Sequence, residues 1–451
     1  MDTIYNKDRP APLNPANFAT AEAWARRAEA LRIQARIALG LWPMPARPAV
    51  SGVVGRAIVR NGYAIASFRL DGSPGIDVTG SLYMPTKVEG KAPLILHAHG
   101  HAPEGRLQEG SIEGARQAIA NSSELYESAA RYPLQAACAT LARMGCVVAI
   151  YDMLGYAERR AYKHRVDFAD ARSVETLVTE AGLQSWGSLR LLDWLIELPQ
   201  VDRTRVGVIG QSGGASQAML LGVLDDRPTW FFLAGMIGTA MQGGCVCENA
   251  PLLRLGTNNV ELAGTIAPRH VTYATANDWT KDFATSGWPE LRTIYDHFGA
   301  SERVEHLHFE YGHNFNAHTR AFLYESAAKR FGLPVLDEST FEPIAPSELR
   351  GPAGASDPSA DAITERWLAA ATPSEADAMA ALKRIVARDG VAPLTDEPVQ
   401  TFLYWCYSHA PDAKTVRERL ASGESIDWDR VWLPGQAKYG EVWRRLPQRS
   451  C

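Results

Sequence analysis

The pattern that most limits the fold of this chain is a series of six short apolar runs, at residues 93–98, 146–151, 205–209, 230–234, 270–274 and 304–309. A strand that alternates apolar and polar residues keeps one face in water. A strand apolar at every position is buried on both faces, as in a parallel sheet covered by helices. Stretches with helical periodicity lie between the runs, at about 133–144, 178–198, 213–224, 290–299 and 317–331. Such interleaving predicts an α/β fold: a three-layer sandwich around a mostly parallel central sheet.

The flanking segments read differently. Residues 1–19 are rich in Pro and Asn and read as an extended arm. A helix follows, with Thr20 as N-cap and Gly40 near its end. Residues 54–86 predict a meander of three short strands, with turns at Asn61-Gly62 and Asp71–Gly75. Beyond Gly332 a segment rich in Pro, Ser and Glu reads as a linker, followed by helical stretches carrying several tryptophans. The expected organisation is an N-terminal arm and helix over 1–53, a catalytic domain over 54–335, and a linker with a helical C-terminal extension over 336–451. Long connections at about 102–132, 156–177 and 238–267 are expected to shape a pocket.

Charge and composition exclude several classes of function. A formal net charge of −5 gives no long-range attraction for nucleic acid or an anionic membrane surface. No apolar run approaches the roughly 20 residues needed to cross a bilayer. Residues 1–8 lack a basic region followed by an apolar one, so a cytoplasmic protein is expected, a previously removed signal being left open. The six cysteines, at 138, 146, 245, 247, 406 and 451, are too irregular for a disulfide framework and read as buried or incidental thiols. Cys245-x-Cys247 has the chemistry of a soft-metal ligand pair, but no second pair stands at a sensible spacing, so no metal and no cofactor are expected.

The chemistry centres on Gly210-Gln211-Ser212-Gly213-Gly214, which follows the run 205–209 and opens the helical stretch 213–224. A strand, a tight turn of small residues and a helix hold a serine Oγ above the sheet edge, with helix N–H groups behind it. Ser212 is therefore the expected nucleophile. Its base is expected in Tyr311-Gly312-His313-Asn314-Phe315, after the last core strand; His318, on the next helix, reads as a packing residue. The acid is expected after the penultimate strand, with Asp278 nearest the strand end and Asp282 and Glu248 as alternatives. Gly213 and His101 are the expected backbone N–H donors to an oxyanion. Trp279, Gln211 and His99 are candidate substrate contacts, Trp279 competing with a plain packing role.

Several of these motifs occur together in a known group. The segment Gly40–Pro45, the loop His99-Gly100-His101, the elbow 210–214, the stretch Gly243–Pro251 and Ala276–Lys281 resemble the acetylxylan-esterase-like and dienelactone-hydrolase-like branch of the α/β-hydrolase superfamily. The resemblance covers about residues 20–332. It implies a serine esterase with a catalytic triad and an oxyanion hole, acting on a small-molecule or carbohydrate ester and removing acetyl or other small acyl groups. Relatives that are peptidases usually carry a large N-terminal propeller, whereas the first core strand here begins at residue 93. A binding protein on the same fold would be expected to lose the serine, histidine or acid, and all three candidates are present. A metal-dependent hydrolase using His97, His99 and His101 is a further alternative, although no Asp-His pair follows them. Helices at both ends offer a surface for a homodimer, and oligomeric state is left open.

Overall fold

The apolar runs are the parallel strands of one large sheet, the last of them at its edge, in the computed structural model, which describes residues 13–371 and Ser374 apart from 240–242, 252, 255, 256 and 352–356. In chain order the strands are β1 (Gly52–Val54), β2 (Ile58–Arg60), β3 (Tyr63–Leu70), β4 (Val78–Pro85), β5 (Ala92–Ala98), β6 (Val147–Tyr151), β7 (Val201–Gln211), β8 (Trp230–Ala234), β9 (His270–Ala276) and β10 (Val304–Phe309). Their order across the sheet is β1-β3-β4-β6-β5-β7-β8-β9-β10, with β2 also paired to β3. The pairs from β6 across to β10 are all parallel; β4 meets β6 antiparallel, and β3 meets β4 antiparallel.

The continuous apolar runs are explained by two cores, one on each face. Leu94 and Leu96 of β5 join one core with Val206 and Val208 of β7, while Ile95 and Ile209 join the other. Successive side chains of a strand point to opposite faces, so both faces call for apolar residues at these positions. The first core is covered by helices Ala21–Ala38, Glu180–Leu195 and Gly213–Leu224, and the second by Pro133–Arg143 and Ala317–Phe331. Thr20 caps the first helix as expected, its hydroxyl accepting from the Ala23 N–H at 3.1 Å.

Two expectations change. The meander has four strands, because its first is broken: β1 and β2 pair with opposite ends of β3, and Gly55 turns between them with its N–H on the Ser67 carbonyl at 2.7 Å. Each piece has three residues, with Val53 and Val59 exposed, too little for a periodic signal. The linker reading fails over 333–351. There Phe341, Ile344 and Leu349 are buried in the second core, and the Gln135 side chain bonds both the N–H and the carbonyl of Ile344. A helix at Ala360–Ala371 follows, its Trp367 packed perpendicular to Trp186 at 5.6 Å. The arm residues 1–12 and the expected extension over 375–451 lie outside the described residues. Among the described residues no helix is long and apolar enough to cross a membrane.

The topology fixes where a site can form. From β5 the chain moves to β6 on one side, then returns to β7 on the other, so β5 and β7 are neighbours whose following loops diverge. A crevice opens at the carboxyl ends of strands at such a switch point. Ala98 stands opposite Gly210, which places His99–His101 beside Ser212.

Candidate active site

Ser212 sits between β7 and the helix Gly213–Leu224 with φ 55° and ψ −127°, a conformation rare for a residue with a side chain. Such strain costs about 1–3 kcal/mol and persists only where surroundings over-determine it. They do so here: the Ser212 N–H donates to the Ala234 carbonyl at 2.8 Å, and its own carbonyl accepts from Ala215 at 2.9 Å and Ser216 at 3.1 Å. The turn is also crowded. A Cβ on Gly214 would lie 2.0 Å from the Ala98 carbonyl oxygen, and one on Gly210 2.3 Å from that of Gly214. Only glycine at both positions lets the elbow cross the end of β5.

His313 lies in the loop after β10, and its Nδ1 is 2.7 Å from Asp278 Oδ2. The other Asp278 oxygen accepts from the Thr280 N–H at 2.7 Å and hydroxyl at 2.6 Å. Burial acts to raise the Asp278 pKa, but the bonds from His313 and Thr280 outweigh it and hold the carboxyl below its ordinary value. The carboxylate is thus ionised at neutral pH and keeps the proton of His313 on Nδ1, leaving Nε2 as an acceptor. The imidazole packs over Gly235, the residue after Ala234, and so stands beside the elbow; Trp279 covers it with ring centroids 4.3 Å apart.

Among the described residues neither of the other two candidate acids bonds His313, although Glu248 stands against the elbow, its carboxyl carbon 3.6 Å from where a Cβ on Gly213 would lie. Glu248 is buried and accepts from the Ser216 hydroxyl at 3.0 Å and the Gly244 N–H at 3.1 Å. Asp282 is exposed. His318 bonds Tyr311 and the Ser122 carbonyl, a packing role. Gln211 and His99, expected at the substrate, are buried and committed inward. Gln211 Oε1 accepts from His97 Nε2 at 3.0 Å; His99 Nδ1 donates to the Gly100 carbonyl at 2.8 Å, and its Nε2 accepts from the Met153 N–H at 3.1 Å. Burial lowers His97 to about 4 and His99 to about 3, so both rings are neutral at pH 7. These separate partners also dissolve the His97, His99 and His101 cluster considered as a metal site. Alternation along the strand sends His97 toward Cys138 and His99 toward Met153.

Two groups were not legible in the sequence. Arg106 is buried between Asp152, at 2.8 Å, and Glu158, and pins the loop after β6 to the loop after β5. The second group is His101, His164, Cys245 and Cys247, whose side chains converge against the elbow. The CxC pair was visible, but its partners are 81 and 146 residues away along the chain, and no spacing rule reaches that far. In this group hydrogen bonding from Cys247, His101 and His164 holds the Cys245 thiol well below its ordinary range, and burial pushes Cys247 well above it.

No family model and no curated protein matches the chain. Among solved structures, a methylesterase is 30% identical over 72% of this chain and 69% of its own, at a TM-score of 0.58. A candidate acetyl xylan esterase from Bacteroides fragilis aligns over 68% of this chain and 80% of its own at 15% identity and a TM-score of 0.50, a likeness of fold. With the sheet order and the strand–turn–helix around Ser212, the likeness to the methylesterase places the chain among the α/β-hydrolase-type esterases, as a carboxylic ester hydrolase.

Proposed function

We propose that the chain cleaves carbohydrate-type esters through a covalent acyl-enzyme on Ser212, with His313 as general base and acid and Asp278 as its orienting carboxylate. The observation that carries this reading is the 2.7 Å His313–Asp278 bond beside a strained serine. His313 Nε2 takes the Ser212 proton as Oγ attacks the ester carbonyl. The N–H groups of Gly213 and His101 receive the developing oxyanion, aided by the helix N-terminus behind Ser212. His313 returns the proton to the departing alcohol, then activates water to free the acyl group. Trp279, packed on His313, forms one wall of the substrate site.

The primary reading is removal of acetyl or other small acyl groups. A second reading, cleavage of a methyl ester, is favoured by the 30% identical methylesterase. The two differ in what leaves: acetate in the first, methanol in the second. Incubation of wild type and Ser212→Ala with acetylated xylan, methyl-esterified pectin and p-nitrophenyl acetate separates them. Serine-dependent acetate release supports the first reading and serine-dependent methanol release the second. Equal turnover by both proteins rejects the acyl-enzyme.

A further inference from the structure

We propose that His101, His164, Cys245 and Cys247 form a closed tetrahedral site for zinc, which ties three loops to one flank of the nucleophile elbow. Their four ligand atoms all lie within 4.8 Å of one another. His101 Nε2 is 3.2 Å from Cys247 Sγ, and His164 Nε2 is 3.2 Å from Cys245 Sγ. Zinc bonds of about 2.3 Å to sulfur and about 2.0–2.1 Å to nitrogen require ligand separations of roughly 3.3–3.8 Å in a tetrahedron. The four atoms need move only a few tenths of an ångström to about 1 Å to meet that.

The surroundings of the cluster are those of a metal site. His164 turns its other nitrogen, Nδ1, to the buried Glu180 carboxylate, which fixes Nε2 toward the sulfurs. A carboxylate behind a metal-bound imidazole is the usual orienting partner of such a ligand. The turn carrying both cysteines is held from behind as well. Gln217 Nε2 donates to the Cys247 carbonyl at 2.7 Å, and Glu248 bonds the Gly244 N–H and the Ser216 hydroxyl. Glu248 is thereby a positioning residue for the ligand turn. Two soft sulfurs and two imidazoles select zinc over calcium or magnesium, which take oxygen.

All four positions are filled by protein, so the site is structural: no position is left for water or substrate. With the ion bound both cysteines are thiolates and both imidazoles neutral, the protons that Cys247 and the imidazoles still carry passing to solvent, so a divalent ion leaves the site with no net charge. The ion would join the loops after β5 and β6 to the insert after β8, across 81 and 146 residues of chain. Its effect on the elbow runs through His101, whose ring lies 2.8 Å from where a Cβ on Gly213 would stand. Holding that ring fixes the His101 backbone; that its N–H then serves the oxyanion rests on the proposed function, whereas the metal site does not.

The test is elemental analysis of the full chain, purified without a polyhistidine tag or chelator from zinc-supplemented culture. Wild type and Ser212→Ala are expected to carry about one zinc per chain, and Cys245→Ala/Cys247→Ala under about a tenth. His97→Gln, outside the cluster, should keep its zinc. Because the double variant has a route to misfolding, chelated wild type is titrated with Co²⁺ in parallel. Saturable visible bands of a tetrahedral thiolate site, with a melting temperature that falls on chelation and recovers on reloading, support the proposal. Wild type with neither zinc nor a cobalt spectrum overturns it, and so does equal zinc in the double cysteine variant. Ester turnover does not enter either readout, so loss of Ser212 chemistry and loss of the metal site are told apart.

Discussion

On one flank of Ser212, His313 stands one-third exposed above an Asp278 side chain that is only 5% exposed. On the other, His101 and His164 face two buried cysteines. Both flanks pair imidazoles with groups that take up or release protons, yet the His313 side chain is 34% exposed and that of His164 15%. A base that must pass a proton to a departing alcohol and then to water needs an open Nε2. A ligand cluster that holds loops needs every position filled. Exposure, more than residue type, separates the two roles.

Breaking the open flank should abolish chemistry and spare the fold. Ser212→Ala is expected to lower kcat by roughly 10⁴–10⁶-fold while leaving the free energy of unfolding within about 1 kcal/mol of wild type. Steady-state kinetics with p-nitrophenyl acetate and a urea titration test this. Residual turnover near wild type would make the elbow purely architectural.

The acid assignment gives the next largest contrast. Asp278→Asn should place the wrong tautomer on His313 and cost on the order of 10⁴ in kcat. Glu248→Gln should reduce kcat by under about tenfold, because its oxygens hold the Gly244 N–H and the Ser216 hydroxyl. The reverse ranking would move the catalytic acid to Glu248 in the insert after β8.

The closed flank is sharpened by Glu180→Gln. If Glu180 only orients His164, this variant should bind zinc about 10–100-fold more weakly and keep kcat within about twofold. Competition with a chromogenic chelator reads the affinity. A large fall in kcat at full zinc occupancy would mean that the cluster takes part in turnover.

Legibility in the sequence follows the same division. Five of the six runs were readable because both faces of β5 to β9 are buried, the partly buried edge strand β10 as the last of the series, and the elbow because Gly210, Ser212 and Gly214 fall in one pentapeptide between a strand and a helix. Asp278 and His313 were readable from their places after successive strands. The edge pieces β1 and β2 were not, since three residues with none buried carry no period. The docking of 333–351 was hidden because Phe341, Ile344 and Leu349 are isolated anchors in a polar stretch. His101 and His164 became partners of the CxC pair only through the sheet order, which brings the loops after β5, β6 and β8 to one place.

A fourth histidine tests whether burial alone sets the difference between the flanks. His97 lies beneath the elbow on Gln211, fully buried, with its folded pKa lowered to about 4 by that burial against an unfolded value near 6.5. Above about pH 6.5 both states are neutral and the group adds nothing to the pH dependence. As pH falls from about 6.5 toward 4, the unfolded chain takes up a proton that the fold refuses, and stability is lost across that window. At pH 5 the loss relative to pH 7 is about 2 kcal/mol. His97→Gln keeps a polar partner for Gln211 but cannot titrate. Its destabilisation relative to wild type, from urea unfolding, should therefore be about 2 kcal/mol smaller at pH 5 than at pH 7. A gap equal at both pH values would show that His97 protonates as readily folded as unfolded, so that burial does not hold it neutral and the contrast with the open His313 has another origin.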